Sequence, residues 1–438
     1  MRRAWLIPLS LLAATGVIAP AWGQSARIRA VVQGVSPTRI KADLDSLTAL
    51  ETRFALSPDF WRATELVRAR LKEAGLTPEL DPFDAGPARV NNIIVTLKGS
   101  IPGRPLLLSS AHYDSISFDP GPRAPGAEDN ASGTAGLLEL ARTLSQQRLA
   151  TGVRLVFFAA EEEGVWGSKH LVKKYAASGE LLNIQALINM DMIGHDPQGK
   201  RAMVVDTFPV SRALAGRIQA AAAAFTELLV YVDIGATGRS DHRPFVEADI
   251  PAVNLASAGW RDYTAYHSAR DTVDQVDPEM VALVTRANLA TILRLAGFED
   301  GPPVAHGGDH QQVDVDHAVV LDGRGSFDPQ GKGLTYAWRQ LGGPPVQIQS
   351  SSRAPSFRAS EPGGYRFELK VTSEDGRTSE PDLVGALVED AGGCAVGGAD
   401  PSWLWIFVLI GWRSWRRGTQ PPMGGRTGRC STKARCKV

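Results

Sequence analysis

At 438 residues the chain is too long for one ordinary domain, and 43% hydrophobic against 21% charged residues describes a globular protein, not a disordered or fibrous one. The 47 basic residues balance the 47 acidic ones, so the overall charge argues against nucleic acid or an anionic surface as partner. The cysteines Cys394, Cys430 and Cys436 all lie near the C-terminus, and the body of the protein must pack well enough to fold without disulfides.

In chain order, the first signal concerns targeting. Arg2 and Arg3 precede the apolar run "AWLIPLSLLAATGVIAPAWG", and the small residues Ala21 and Gly23 fit cleavage just before Gln24. A membrane anchor needs about 20 uninterrupted apolar residues, and Pro8 and Pro20 interrupt this run. The sequence therefore predicts a signal peptide over 1–23 and a secreted or cell-surface protein.

From residue 36 onward, helical and strand patterns alternate. "DFWRATELVRARLKEAGL" places Phe60, Leu66, Val67 and Leu71 at helical spacing and stops at Gly75. "VNNIIVTLKG", "RPLLLSSAHYDS", "VRLVFFAA" and "ALINMDMIG" read as strands, with "SGTAGLLELARTLSQQ" and "PVSRALAGRIQAAAAAF" as helices among them. A last helix, "PEMVALVTRANLATILRLAGF", closes this domain near Phe298. The expected fold over 36–300 is α/β, with a mostly parallel central sheet flanked by helices. At "EDGPPVAHGGDH" the composition shifts to that of a linker. The short alternating runs "AVVLDG", "LTYAWRQ" and "YRFELKVTS" then predict a small all-β immunoglobulin-like sandwich over 301–390. A tail over 391–438 is Gly-rich, then apolar in "WLWIFVLIGW", then basic in "RSWRR"; no sustained repeat runs through the chain.

Three apolar strands end in candidate metal ligands: His112 and Asp114 after "LLLSSA", Glu161 to Glu163 after "VFFAA", and Asp191 after "LINM". In an open parallel sheet the carboxyl ends of strands converge on one crevice. Asp129 in "AEDNASG", before a helix start that Asn130 or Ser132 is placed to cap, and His267 in "YHSARD" are available to join them. Imidazole and carboxylate together suit zinc, and the set holds too many acids for one ion with an open position. Two ions sharing a carboxylate use it better. Each residue alone has a blander explanation. An acidic triplet at a helix start satisfies the helix dipole, and a single histidine after a strand is more often structural. "SDH" at Ser240–His242 suggests a nucleophilic triad, but three consecutive residues cannot face one another as a triad requires. Only the coincidence of several ligand types at strand ends favours a metal centre.

The ordered run "AHYDS … EDNASG … AEEEGVWGS … NMDMIG … GRSDHRPF … YHSARDT" resembles the two-zinc aminopeptidase family that includes aminopeptidase Y and secreted bacterial leucyl aminopeptidases. The resemblance covers residues 36–300. It implies two zinc ions, with His112 and Asp191 on one, Glu162 and His267 on the other, and Asp129 as the bridge. It also implies that Glu161 is the general base of a metal-activated hydrolysis of the N-terminal peptide bond, the spacing to "GVWGS" favouring Glu161 and Glu162 over Glu163. Tyr266 matches a residue that polarises the substrate carbonyl, and Arg239 a residue near the substrate amine. Asp114, two residues after His112 in extended chain, is placed to fix its imidazole. Trp166, Phe245, Trp260 and Tyr263 are candidates for an apolar side-chain pocket, although each suits a core or rim position better. The expected substrate is the N-terminus of peptides or proteins. The alternatives are a dipeptidase or carboxypeptidase of the same kind, or a catalytically silent surface binding protein on the same fold.

Residues 301–390 resemble the PKD-type sandwich through Asp322, Asp328 and Trp338, with Trp338 as the buried aromatic, and the implied role is a spacer or contact with protein or polysaccharide. The tail loosely resembles a myxobacterial-type sorting tag, which implies attachment to a membrane or cell surface; its apolar stretch is short for a span.

Overall fold

The computed structural model describes residues 24–235 and 239–389. The predicted signal peptide and sorting tail lie outside them.

Three helices precede the first strand: α1 (Gln24–Gln33), α2 (Pro37–Thr48) and α3 (Trp61–Glu73). The Ser36 side chain caps α2 by accepting the Arg39 N–H, and Pro37 opens its first turn. Two strands follow, β1 (Glu79–Ala85) and β2 (Ala88–Leu97), joined across Gly86 and Pro87. Then come β3 (Leu106–His112), α4 (Gly133–Leu144), β4 (Val153–Phe158), α5 (Trp166–Ser178) and β5 (Ile184–Met190). The domain continues through β6 (Ala202–Thr207), α6 (Arg212–Phe225), β7 (Leu229–Ile234), α7 (Arg243–Glu247) and β8 (Ala252–Ser257). It closes with α8 (Pro278–Ala296), capped by Asp277.

The strands form one eight-stranded sheet in the order β1-β2-β4-β3-β5-β8-β6-β7. Its middle, β4-β3-β5-β8, is parallel, as the continuous apolar runs require of strands covered on both faces. The flanks make the sheet mixed: β2 runs antiparallel to both β1 and β4, and β6 runs antiparallel to β8. A two-residue connection can only return the chain antiparallel, which fixes β1 against β2.

Alternation within each strand divides the core. Leu107 and Ala111 of β3, with Val153, Leu155 and Phe157 of β4, face the side covered by α2, α4 and α8. Leu108, Val156 and Phe158 face the other side, against Leu171 and Tyr175 of α5 and Phe245 of α7. Phe245 is therefore core, not pocket lining. Parallel strands with helices on both faces leave their carboxyl ends free, and β3, β4 and β5 are neighbours there.

The second sheet system comprises β9 (Gln311–Asp314), β10 (Ala318–Val320), β11 (Leu334–Gly342), β12 (Ser356–Arg358), β13 (Gly363–Ser373) and β14 (Asp382–Glu389). Four of these strands pair as β11-β13-β14-β9, and β10 pairs with β12. Trp338 is buried between them among Phe357, Tyr365, Phe367 and Leu369, with its indole N–H donated to the Ser352 carbonyl.

The sandwich is seated on the first domain. Arg217 of α6 donates to Asp382 at 3.1 Å and to the Gly308 carbonyl at 3.0 Å, and the Gly307 N–H also reaches Asp382 at 2.7 Å. Beside this, the Arg104 guanidinium lies 3.5 Å from the centre of the Phe327 ring, and Phe327 packs with Val304 and Ala150. Burial opposes the Asp382 charge, but Arg217 more than offsets it and holds the carboxyl below its ordinary range. Truncating Arg217 leaves that carboxylate buried with the Gly307 N–H but without its ion-pair partner. Arg217→Ala is expected to cost on the order of 3 kcal/mol in denaturant unfolding, and a change under about 0.5 kcal/mol, the size of an ordinary surface substitution, would contradict this account of the joint.

Candidate active site

Asp129 lies at the centre of the cluster. Its Oδ1 is 3.3 Å from His112 Nε2, and its Oδ2 is 3.1 Å from His267 Nε2. His112 Nε2 also lies 3.3 Å from Asp191 Oδ1, while His267 Nε2 lies 2.9 Å from Glu162 Oε2. The five residues assigned to metal thus form two half-sites that share one carboxylate. His112 ends β3, Glu162 follows β4 and Asp191 follows β5, so the sheet delivers one ligand from each of three adjacent parallel strands. Loops supply the other two.

The local chain is built for these positions. Asp129 sits at a kink in the segment Ala127–Ser132 that leads into α4, with non-helical backbone at Asp129 (φ −111°, ψ 94°) and at Asn130. The Asn130 side chain caps that helix by accepting the Gly133 N–H, as expected, while the Ser132 hydroxyl donates back to the Glu128 carbonyl. Ala160, Met192 and His267 all adopt positive φ, at 57°, 59° and 50°. Each is a ligand or lies within two residues of one, and such conformations cost about 1–3 kcal/mol apiece, so they persist only where the surroundings impose them.

The glutamate triplet does not sit on a helix. It fills the turn between β4 and α5, and α5 starts at Trp166 with no acid in its first turn, so a helix dipole does not account for it. Asp114 organises the turn by accepting the Glu161 and Glu162 N–H groups at 3.3 and 3.1 Å. Its Oδ1 also lies 3.5 Å from His112 Nδ1, on the ring edge away from the cluster.

The charges explain why the cluster needs cations. Burial, reinforced by Asp129, pushes Glu162 up to about 8. Burial also raises Glu161 well above the carboxylate range, with Asp241, Glu162 and Asp191 adding to the effect. Both histidines are raised despite their burial, His267 to about 10, because the surrounding carboxylates favour the charged ring. Several side-chain atoms here lack hydrogen bonds: His112 Nδ1, His267 Nε2 and Glu162 Oε1 are buried without one. His267 Nε2 is within 3.1 Å of one oxygen each of Asp129 and Glu162 yet hydrogen-bonded to neither. Ligand atoms of His112, Asp129 and Glu162 all fall within 4.8 Å of each other. Two imidazoles and three carboxylates so arranged fit zinc.

Tyr266 is half-exposed and stacks on His267, with ring centroids 3.7 Å apart. Burial and the neighbouring acids raise its phenol, which keeps the hydroxyl a donor at neutral pH. Arg239 is not brought into the cluster. It is exposed beside the undescribed residues 236–238, and no described ion pair joins it to these acids, so proximity to the substrate amine rests on the family likeness alone.

Comparison with known proteins identifies the family. The model of peptidase family M28 matches residues 92–292, and a PKD-domain model matches residues 307–384. The uncharacterized protein YfbL of Escherichia coli is 32% identical over 251 residues, which span 51% of this chain and 76% of YfbL. The chain belongs to peptidase family M28. Aminopeptidase YwaD of Bacillus subtilis is 32% identical over 178 residues, which cover 39% of this chain and 36% of YwaD. Among solved structures, the Legionella pneumophila LapA aminopeptidase superposes with a TM-score of 0.56 at 22% identity, covering 62% of this chain and 74% of LapA, which supports the fold.

Around this M28 centre the structure reveals residues that motif reading passed over. Asp271 accepts the Glu128 and Asp129 N–H groups at 2.8 and 3.0 Å and the Tyr263 hydroxyl at 2.6 Å. It holds the backbone of the shared aspartate from behind, and Tyr263 serves this network and not a substrate pocket. Glu128 is fully buried, raised by that burial to about 8, and accepts the Gly194 and His195 N–H groups just beyond Asp191. Asp241, set aside with the "SDH" triad, is fully buried among the acids and pushed up to about 7 by burial, with Asp114 and Asp191 adding to it. All three lie inside the quoted motifs, Glu128 in "EDNASG", Asp241 in "GRSDHRPF" and Asp271 in "YHSARDT", but nothing in those strings marked their roles.

Proposed function

We propose that this M28 peptidase is a two-zinc aminopeptidase that removes single residues from the free N-terminus of peptides. The observation that carries the reading is the division of Asp129 between two half-sites, one oxygen toward His112 and one toward His267. When bound, the ions polarise the scissile carbonyl and acidify the attacking water. His112 and Asp191 would hold one, Glu162 and His267 the other, with Asp129 reaching both.

The chain's own residues do the rest. Glu161 lies beside the cluster with its proton affinity raised, so its carboxylate takes a proton from water and returns it to the leaving nitrogen near neutral pH. The Asp114 carboxylate fixes the Glu161 and Glu162 backbone, which holds base and ligand in register. Tyr266 offers its hydroxyl to the substrate carbonyl oxygen. Asp191 and Glu161 leave negative charge for a substrate ammonium, and an acetylated N-terminus carries none.

Export through the signal peptide, contact with protein or polysaccharide through the PKD domain, and surface attachment through the tail belong to the same proposal. They rest on the N-terminal pattern, the confinement of cysteine to the tail and the basic apolar C-terminus. Among the described residues no helix is long and apolar enough to cross a membrane.

The test is hydrolysis of matched peptides, free, N-acetylated or C-amidated, by the zinc-loaded full chain. Stepwise cleavage of the free and amidated peptides with the acetylated one intact is expected. Cleavage of the acetylated peptide, or loss of cleavage on amidation, would move the activity to another peptidase type.

A further inference from the structure

One buried cation behind the centre takes no part in the chemistry described so far. Arg53 lies outside every motif quoted above, in the loop between α2 and α3, and its side chain is completely inaccessible. Among the described residues no carboxylate comes within ion-pair distance of it. Its guanidinium instead donates to main-chain carbonyls: Nε to Tyr113 at 2.9 Å, Nη1 to Pro125 at 2.5 Å and Leu47 at 3.4 Å, and Nη2 to Gly126 at 2.8 Å. Tyr113 follows His112 directly, and Gly126 precedes Asp129 by three residues. The same contact is stitched on the main chain, where the Arg53 N–H donates to Ser115 Oγ and the Ser115 N–H returns to the Arg53 carbonyl. Ser115 Oγ donates in turn to the Ala124 carbonyl at 2.7 Å.

We propose that Arg53 is a positioning residue of the metal centre, its guanidinium clamping the loop after His112 to the loop before Asp129 and so fixing the spacing of those two ligands. Three features support this reading over that of an ordinary core arginine. The planar fork spans two ligand-bearing loops at once, which a lysine's single ammonium cannot do. The fit is close at Gly126, where φ is 53° and an added Cβ would lie 2.5 Å from the Ser115 side chain and 3.0 Å from Arg53 Nη2. The charge faces the right way as well, since Asp271, Asp114, Asp129 and Glu162 are the acids whose fields reach it. Without a direct partner, it offsets the crowded acids while leaving their oxygens free for metal.

The inference rests on His112 and Asp129 being ligands. Zinc affinity of the full-length chain is therefore measured first, by competition with a chromophoric chelator. A parent protein that binds no zinc refutes the ligand reading itself. Given a parent that binds zinc, Arg53→Ala is expected to weaken binding about 10-fold to 100-fold, the range typical of residues that hold ligands from behind. Millimolar guanidinium, filling the space left by the side chain, is expected to restore much of the loss. Ile218→Ala, a truncation in the same core on α6, supplies a comparison protein of reduced stability. If Arg53→Ala binds zinc within twofold of the parent, or loses no more than Ile218→Ala without rescue by guanidinium, Arg53 serves folding alone and the proposal fails. Should Arg53→Ala not fold, Arg53→Lys is judged against the same comparison, since it keeps the charge and loses the fork.

Discussion

Glu161→Gln is expected to lower kcat by roughly a hundredfold to ten-thousandfold, the range for loss of a positioned general base, while KM and zinc content stay near those of the parent. The substitution keeps volume and shape and removes only the capacity to accept a proton. Glu161 sits where the turn after β4 is fixed by Asp114, so the amide is held in the same place. Glu163 provides the internal comparison. Its carboxylate is also buried, without a hydrogen-bond partner and raised by burial to about 7, yet no described ion pair joins it to the five ligand residues. Glu163→Gln is expected to retain turnover within a few-fold. Steady-state kinetics beside metal analysis decides between them, and a Glu161→Gln enzyme with near-parent kcat would remove Glu161 from its role.

Asp129→Ala carries the second large effect. Removing one carboxylate takes a ligand from both half-sites at once, so zinc affinity is expected to fall by more than the roughly 10-fold to 100-fold seen for changes behind ligands. Turnover should fall with it and return only in part at high zinc. Asp271→Asn is the milder companion. It keeps the Asp129 side chain but weakens the N–H acceptors that hold it, so its loss should lie within that smaller range. Titration of metal per chain gives the answer, and an Asp129→Ala protein that keeps two ions at parent affinity would break the shared-carboxylate account.

What the sequence makes legible here follows from how strongly each feature is written into side-chain type. The runs ending at His112, Phe158 and Met190 are mostly apolar and buried along nearly their whole length, broken only by Ser109, Ser110, Arg154, Gln185 and Asn189, because the strands are covered on both faces, and that signature gave the parallel middle of the sheet. Ligand residues were legible because a metal restricts their chemistry to imidazole and carboxylate. Trp338 stood out as the one tryptophan in a short alternating run. The flanks were less plain: β1 carries Pro82 and three acidic residues, and only its pairing with β2 makes it a strand. Arg53 lies outside the motifs, and Asp271 and Glu128 lie inside them with nothing to mark what they hold. Their work is done on main-chain N–H and carbonyl groups, and no residue pattern advertises a hydrogen bond to a peptide group some 60 or more positions away. Asp241 illustrates the converse, because the correct dismissal of a triad drew attention away from a carboxylate that is fully buried beside the centre.

The joint between the two domains bears on how this enzyme can be handled and how it ages. A chain severed after Phe298 would not yield a finished smaller protein. It would bare Arg217 with no counter-charge, and strip Ala150 and Arg104 of the Val304 and Phe327 that cover them. A proteolytic nick in the connector would, conversely, leave both pieces attached, still gripped through Arg217 and Asp382. The sandwich thus covers apolar and charged groups that the first domain does not cover by itself.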